Sequence, residues 1–305
     1  MVERSPQRNL AIAAVATATV IWGSIGVLVK TTAITGLTFA MYRLWLGVAI
    51  HLVALAVTRR RLPWVTFRAC AFGGVLFATD IALGFSAVKL TTVANAALIG
   101  ALAPVLIVLA SARWLGEQVG RREAVLTAVS FGGIVVVAVG SAGSPAWSPI
   151  GDLLAFVSTL TWTGYWFFSR RARVRASALE FMTSVMIAGA LWITPIALIR
   201  DGVPPASPSS HDWAVLLLVA LIPGAVGHML VAWSHRHVES WLSALVTNCV
   251  PVIAAITAWI VVDEALTPVV AIGGAVVLCA TGLIVVGSRA AERRPREEGA
   301  VEPAA

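Results

Sequence analysis

The sequence contains few charged residues for its length. Only 12% of its 305 residues are Asp, Glu, Lys or Arg, whereas 59% are apolar and the mean hydropathy is +0.89. Soluble domains carry about 25% charged residues, so this composition excludes a soluble enzyme and a disordered chain. The apolar residues form long runs, which indicate membrane-spanning helices of about twenty residues rather than the short alternating strands of a β-barrel.

Cysteines and catalytic motifs are also scarce. The three cysteines, Cys70, Cys249 and Cys279, have neither CxxC spacing nor histidines at metal-ligand spacing, so we predict no metal, no disulfide framework and no cofactor. The sequence has no GxxxxGK[ST] motif for ATP. It also has no cluster of His, Asp, Glu or Ser with nucleophile spacing at one membrane depth. We therefore predict no catalytic residues and a protein that is not an enzyme.

The apolar runs predict ten spans, at about 11–29, 38–57, 70–88, 93–115, 124–142, 152–169, 178–199, 213–234, 241–262 and 269–288. Of the 22 basic residues, eighteen lie on the side of the N-terminus, three lie on the other side, and Arg43 lies within the second span. Connections rich in Lys and Arg stay in the cytoplasm, which predicts that both termini are cytoplasmic. The same distribution explains the pI near 10.3 without a nucleic-acid partner. We interpret the arginines at 170–175 as a solvated loop that sets this topology.

The two halves of the sequence resemble each other. Pro104 is followed thirteen residues later by Glu117, and Pro251 is followed thirteen residues later by Glu264, at a constant offset of 147. Five spans per half is an odd number, so the second half enters the membrane from the opposite side, which is the inverted-repeat arrangement of secondary transporters. The two prolines lie near the middles of spans four and nine, which favours paired hinges or cavity-lining bends.

The repeat divides the chain into five parts. We predict a cytoplasmic N-terminal tail at 1–9, a first five-helix repeat at 10–142 and an external linker at 143–151. A second five-helix repeat follows at 152–288, and a disordered cytoplasmic tail at 289–305. The fold class is therefore an all-α integral membrane protein of ten transmembrane helices in two inverted repeats.

Several segments are similar to the EamA-type permeases of the drug/metabolite transporter superfamily. They are Trp22-Gly23-Ser24, Arg43, the run AALIGALAPVLIVLASARWLGE at 96–117, its second copy SALVTNCVPVIAAITAWIVVDE at 243–264, and Gly151-Asp152-Leu153-Leu154. The resemblance covers residues 10–288. It implies a ten-helix inner-membrane permease that moves small metabolites, notably amino acids and their relatives. It does not carry over to His228 or to Asp263, which stands where the first half has Gly116.

Polar groups at membrane depth are the candidate substrate or coupling residues, because each costs about 2.5–3.5 kcal/mol to insert when charged. Asp80 could bind an amine or carry a proton, or it could pair with a hydroxyl or an arginine between helices. His228, next to the repeat equivalent of Asp80, could titrate, or it could bond a backbone carbonyl. Arg43 could receive a carboxylate, or it could have a structural role such as pairing with Asp80.

Aromatic and amide side chains complete the candidate set. Trp22, Trp162 and Tyr165 lie too deep for an interfacial belt, so they either stack on substrate or pack against other helices. Asn95 and Asn248, in spans four and nine, could hydrogen-bond substrate or hold helices together. For Glu117 and Glu264, at the ends of these spans, we favour a structural or gating role.

We therefore expect a secondary transporter of the cytoplasmic membrane that works by alternating access. The substrate that we favour is an amino acid or a related zwitterion, moved by export, with protons as a compatible coupling ion. The alternatives are a multidrug, nucleoside or metabolite exporter, an uncoupled facilitator and, less favoured, a non-transporting scaffold. The partners are the small-molecule substrate and membrane lipids, and a homodimer is compatible with the sequence.

Overall fold

The computed structural model describes residues 5–91, 96, 99–116, 119–141, 148–202, 207–262 and 267–298. These residues form ten main helices and a short 3₁₀ helix, Gly26–Thr31, after the first of them. The first five are α1 (Ser5–Ile25), α2 (Gly36–Val57), α3 (Trp64–Leu90), α4 (Leu102–Leu115) and α5 (Arg121–Ser141). The second five are α6 (Pro149–Ala172), α7 (Ala178–Asp201), α8 (Ser210–Ser234), α9 in two pieces, α9a (Ser240–Thr247) and α9b (Val250–Val262), and α10 (Pro268–Glu298). The prediction of an all-α protein with ten helices is confirmed.

Six of the described helices are long and apolar enough to cross a membrane. They are α2, α3, α7, α8, the stretch Ser240–Thr257 of α9 and the stretch Pro268–Gly287 of α10. Only 39% to 56% of each apolar window is buried inside the protein. The rest leaves large apolar side chains exposed around the bundle, such as Val53, Leu109 and Ile199. Such a surface requires lipid around it, and the chain is a multi-pass membrane protein.

The packing of the helices follows the repeat. In the repeat, each of the first five helices corresponds to the helix five places later, so α2 corresponds to α7 and α5 to α10. The contacts α2–α7 and α5–α10 therefore each join two corresponding helices. The contacts of α3 with α6 and α7 correspond to those of α8 with α1 and α2. The contact between α4 and α6 corresponds to that between α9 and α1. We call the end of the bundle that holds the N-terminus proximal, and the opposite end distal.

The helices extend beyond several predicted boundaries. Helix α1 begins at Ser5, inside the predicted N-terminal tail, and α6 begins at Pro149, inside the predicted linker. Pro149 lies in the first turn of α6, where its missing N–H costs nothing, and Ser148 caps that turn. Helix α10 continues through 289–298, which we predicted as disordered, because Ala, Arg and Glu favour helix. The rest of that predicted tail, 299–305, lies outside the described residues.

Helix α8 contains a wide π-helical turn at Ala220–Gly227. Pro223 lies inside this turn, and a proline cannot donate the backbone hydrogen bond that a regular α-helix requires. The turn packs against α1 and α2. A Cβ at Gly227 would lie 2.8 Å from Trp22 Nε1, and one at Gly224 would lie 3.5 Å from Arg43 Nη2. The glycine at 227 therefore permits the close approach of α1, whereas the Arg43 distance at Gly224 is an ordinary contact.

Three of the four arginines at 170–175 are hydrogen-bonded to the proximal end of the bundle, whereas Arg175 is exposed. Arg173 is only 2% exposed and donates from Nε to the carbonyl of Ala232 at 2.6 Å. Arg170 donates to the carbonyl of His235, and Arg171 donates to that of Trp114 at 2.7 Å. Helix C-termini leave carbonyls without intrahelical partners, and these three arginines satisfy them at the ends of α4 and α8.

Candidate functional site

A central cavity of about 410 Å³ lies between the two halves of the protein. Its α3 wall runs from Asp80 to Val88 and its α6 wall from Ala155 to Trp162, so it occupies the distal half of the bundle. Below it, toward the proximal end, an apolar cluster closes the space between the halves. The cluster consists of Ala18, Ile107, Trp166, Phe167, Val231 and Ala244.

The helices that carry the paired prolines are interrupted at this cavity. Helix α9 breaks after Thr247, where Asn248 and Cys249 bond to carbonyls three residues back, and α9b starts at Val250. Helix α4 likewise starts at Leu102, after a turn at Ala101, the residue 147 positions before Asn248.

Both prolines line the cavity within the first turn of the helix that follows the interruption. A proline there removes no intrahelical hydrogen bond. The prolines therefore mark the starts of two half-helices rather than kinks within continuous spans, a distinction that the unbroken apolar runs of the sequence conceal.

Asp80 is the one charged side chain among the described residues that line the central cavity. Ser158 of α6 donates from Oγ to Asp80 Oδ1 at 2.6 Å. The hydroxyl therefore fixes the carboxylate at the α3–α6 interface while the carboxylate still faces the cavity. This matches the alternative in which Asp80 pairs with a hydroxyl, and it leaves further acceptor positions on the carboxylate for a ligand.

Trp22 and Trp162 both line the cavity, with ring centroids 5.8 Å apart in an edge-to-face arrangement. Trp22 donates from Nε1 to the carbonyl of Pro223 at 3.2 Å, in the π-helical turn of α8. Its ring is thereby fixed against the second half of the protein. The two tryptophans offer an aromatic wall next to Asp80.

His228 lies behind this wall, outside the set of residues that line the cavity. It is 6% exposed, and its ring contacts those of Phe77 at 4.8 Å, Trp22 at 4.9 Å and Trp162 at 5.9 Å. Tyr165 is similarly enclosed and donates to Met182 Sδ at 3.5 Å. The structure thus places both residues in the packing around the tryptophans rather than in the wall of the cavity.

Arg43 is buried beside the cavity without lining it. Its guanidinium carbon lies 5.7 Å from the ring centroids of both Phe77 and Phe85, and Nε and Nη1 have no hydrogen-bond partner. Within the described residues Arg43 forms no ion pair, although its charge interacts with that of Asp80 over a longer distance. The interpretation of a direct Arg43–Asp80 pair is therefore wrong, because aromatic rings occupy the space around the guanidinium.

Asn248 lines the cavity at the break in α9. Its Nδ2 lies 3.4 Å from Ser130 Oγ, and its Oδ1 has no partner. Because a serine hydroxyl can donate or accept, either the oxygen or the nitrogen of the amide can face Ser130. The other amide among our candidates, Asn95, lies outside the described residues, as do Glu117 and Glu264.

The sequence did not single out Ser158, Thr159, Thr247 or Gly100, all of which line the cavity. Small and hydroxyl-bearing residues are common in membrane helices, so nothing in the sequence distinguished these four from the others. The repeat indicated that α4 and α9 are important, but not which of their residues face the cavity. Within the described residues no group of three or more His, Cys, Asp or Glu could hold a metal ion.

Known proteins resemble this chain in sequence and in fold. The probable terminal-alkyne amino-acid exporter of Streptantibioticus cattleyicolor is 27% identical over 202 residues, which span 66% of each chain, just under two thirds. A solved crystal structure of a protein that is 22% identical superposes with a TM-score of 0.77, covering 92% of this chain and 98% of the other. This second likeness shows a shared fold. The sequence model of the EamA-like transporter family matches residues 9–139 and 149–286. The members of this family are transporters rather than enzymes. The chain therefore belongs to the EamA-like transporter family, in the drug/metabolite transporter superfamily.

Proposed function

We propose that this transporter exports a small amine-bearing organic metabolite, with an amino acid as the favoured substrate, by alternating access. The observation that carries the proposal is the position of Asp80, which faces the central cavity beside Trp22 and Trp162. A carboxylate in a low-dielectric cavity attracts an ammonium group strongly, and an aromatic face adds attraction for the same cation.

The two half-helices supply a counterpart for the carboxylate of an amino acid. Helices α4 and α9b both begin at the cavity, so the positive ends of their dipoles point toward it. Broken helices of transporters bind anionic substrate groups in this way. The cavity volume of about 410 Å³ falls in the usual range for small-ligand sites, about 300–1,000 Å³. The relative named as a terminal-alkyne amino-acid exporter supports both the substrate class and export.

The second candidate substrate is an amine or cationic drug without a carboxylate. It is favoured by the absence of any Lys or Arg from the described lining of the cavity. The two candidates differ in whether the half-helix ends contribute to binding. An amino acid and its decarboxylated amine therefore distinguish them.

Alternating access would exchange the two packings of the inverted repeats. The interruptions before Pro104 and Pro251 are the natural hinges, because backbone rotation there costs few hydrogen bonds. Asp80 is the favoured proton carrier if transport is coupled to protons, since it alone is charged in the described lining and His228 lies behind the tryptophans. The distribution of arginines supports a cytoplasmic-membrane location with both termini in the cytoplasm.

The test is counterflow by purified protein in proteoliposomes. The ligands are apolar and aromatic amino acids, their decarboxylated amines, nucleosides and cationic drugs. We expect counterflow with the amino acids, weaker counterflow with the amines and none with nucleosides. Counterflow confined to cationic drugs would instead assign the second candidate.

A further inference from the structure

A second cavity, of about 530 Å³, lies at the proximal end of the bundle, away from the central cavity. Three connections between helices meet there: the one after α2, the one between α6 and α7, and the one between α8 and α9. We call it the proximal basic pocket. Its polar lining is Thr58, Arg60, Arg173, Ser177, Arg236 and His237, and its apolar lining is Ala178, Leu179, Met229, Leu230 and Trp233.

Three arginines line this pocket, and the nearby carboxylates are too few to neutralise their charge. Arg173 is held by its bonds to the carbonyls of Ala232 and Ala176, and burial, followed by the charge of Arg236, lowers its pKa to about 10. It therefore stays charged at neutral pH beside a second cation. Arg60 and Arg236 are exposed and line the pocket.

The acids near the pocket are already occupied. Glu180 interacts with the charges of Arg60 and Arg173, but its carboxylate accepts the backbone N–H of Ser177 at 2.8 Å in the capping box of α7. Glu239 pairs with Arg8 at 3.1 Å. One partly engaged carboxylate facing three arginines leaves a local excess of positive charge, which an anion would relieve.

We propose that the proximal basic pocket binds the phosphate group of an anionic phospholipid, with Arg60 and Arg236 as its contacts. Arginine matches the geometry of phosphate oxygens, and basic pockets between membrane helices bind acidic headgroups. Arg173 supplies fixed positive charge at the back of the pocket. This assignment does not depend on the substrate of the central cavity.

The apolar part of the pocket favours a lipid over a free phosphate. Met229, Leu230 and Trp233 belong to α8, next to the basic residues, and their side chains present a mainly apolar surface. They can contact the glycerol backbone and the first methylene groups of an acyl chain. A free inorganic anion would leave this surface unused.

The experiment is native mass spectrometry of the full-length detergent-purified protein titrated with phosphatidylglycerol, with phosphatidylcholine as the zwitterionic comparison of zero net charge. The test variant is Arg60→Gln/Arg236→Gln. The matched control is Arg61→Gln/Arg68→Gln, which removes two charges from exposed residues that do not line the pocket. Both variants are first checked for wild-type thermal unfolding. Glycerol phosphate, as a free anion, is added as competitor.

We expect phosphatidylglycerol to bind more tightly than phosphatidylcholine. Its affinity should fall roughly tenfold or more in Arg60→Gln/Arg236→Gln and change little in the control variant. Equal binding of the two lipids, or equal losses in the two variants, would overturn the site. Displacement by glycerol phosphate at concentrations similar to that of the lipid would overturn the lipid as its occupant.

Discussion

Ser158 on α6 donates a hydrogen bond to Asp80 on α3 at 2.6 Å, at the wall of the central cavity. The bond crosses between the two repeats, since α3 belongs to the first half and α6 to the second. The position of the charged group therefore depends on how the two halves pack, as the proposed alternating access requires of the proposed substrate site.

Replacing Ser158 by alanine should weaken substrate binding. A hydrogen bond to a charged group contributes about 1.5–3 kcal/mol, and part of this would be lost when the carboxylate is no longer fixed. We expect the half-saturating substrate concentration to rise by about tenfold in counterflow, and Ser158→Thr to restore it. Ser86→Ala is the control, because Ser86 donates only to the carbonyl of Ala82 in its own helix. An equal effect of the control would contradict the role of Ser158.

A large side chain at Gly100 should block transport without unfolding the protein. Gly100 lines the central cavity, and a Cβ there would have no atom within 4 Å. Phenylalanine would therefore project into the space that the substrate needs. We expect Gly100→Phe to abolish counterflow while keeping a wild-type melting temperature. Gly282→Phe, at another position with open space around the Cβ, should retain transport.

An added methyl group at Gly227 should disturb the contact between α1 and α8. It would lie 2.8 Å from Trp22 Nε1, so the indole must move and its bond to Pro223 must weaken. Overpacking of this kind costs about 1–3 kcal/mol, and we expect Gly227→Ala to lower the melting temperature. Adding Trp22→Phe should recover part of the loss, since the smaller ring makes room. If the melting-temperature changes of the two single variants simply added in the double variant, this would argue against a contact between Gly227 and Trp22.

His235, in the α8–α9 connection, should make the protein sensitive to acid. Burial, together with the charges of Arg170 and Arg173, lowers its pKa to about 3, against about 6.5 in the unfolded chain. Its contribution is complete above pH 6.5 and is lost as the pH falls toward 3, because only the unfolded chain takes up the proton. The slope is about 1.4 kcal/mol per pH unit.

Thermal unfolding between pH 7.5 and 4.5 tests this expectation. His235→Asn should have a lower melting temperature at pH 7.5, because His235 contacts Ser169 at 2.8 Å and the Trp166 ring. Its melting temperature should fall less with acid than that of the wild type. The carboxylates titrate in both proteins, so the difference isolates His235. Parallel pH profiles would contradict the lowered pKa.

The fold was largely predictable from the sequence, because hydropathy and the repeat both depend on composition and spacing. Trp22, Trp162, Asp80 and Asn248 were also identified, since polar or aromatic groups at membrane depth are conspicuous. All four line the central cavity.

The remaining features depend on how each helix is rotated about its axis, which hydropathy does not report. Arg43 and His228 lie at suitable depths but face the rings of Phe77 and its neighbours rather than the cavity. The rotation of α6 also decides that Ser158 faces Asp80. The sequence could not indicate this, because Ser158 is one of many hydroxyl-bearing residues in the spans. The interruption of α9 was hidden because Asn248 and Cys249 lie within a continuous apolar run.

The central claim is that Asp80 binds the amine of the substrate in the cavity between the repeats. The most direct measurement is equilibrium binding of an amino acid that the wild-type protein transports, by calorimetry on purified wild type, Asp80→Asn and Ser86→Ala. Asn keeps the size of the side chain and removes its charge. We predict that Asp80→Asn loses binding by at least about a hundredfold, while Ser86→Ala binds as the wild type does. Wild-type affinity in Asp80→Asn, with the protein folded, would contradict the account.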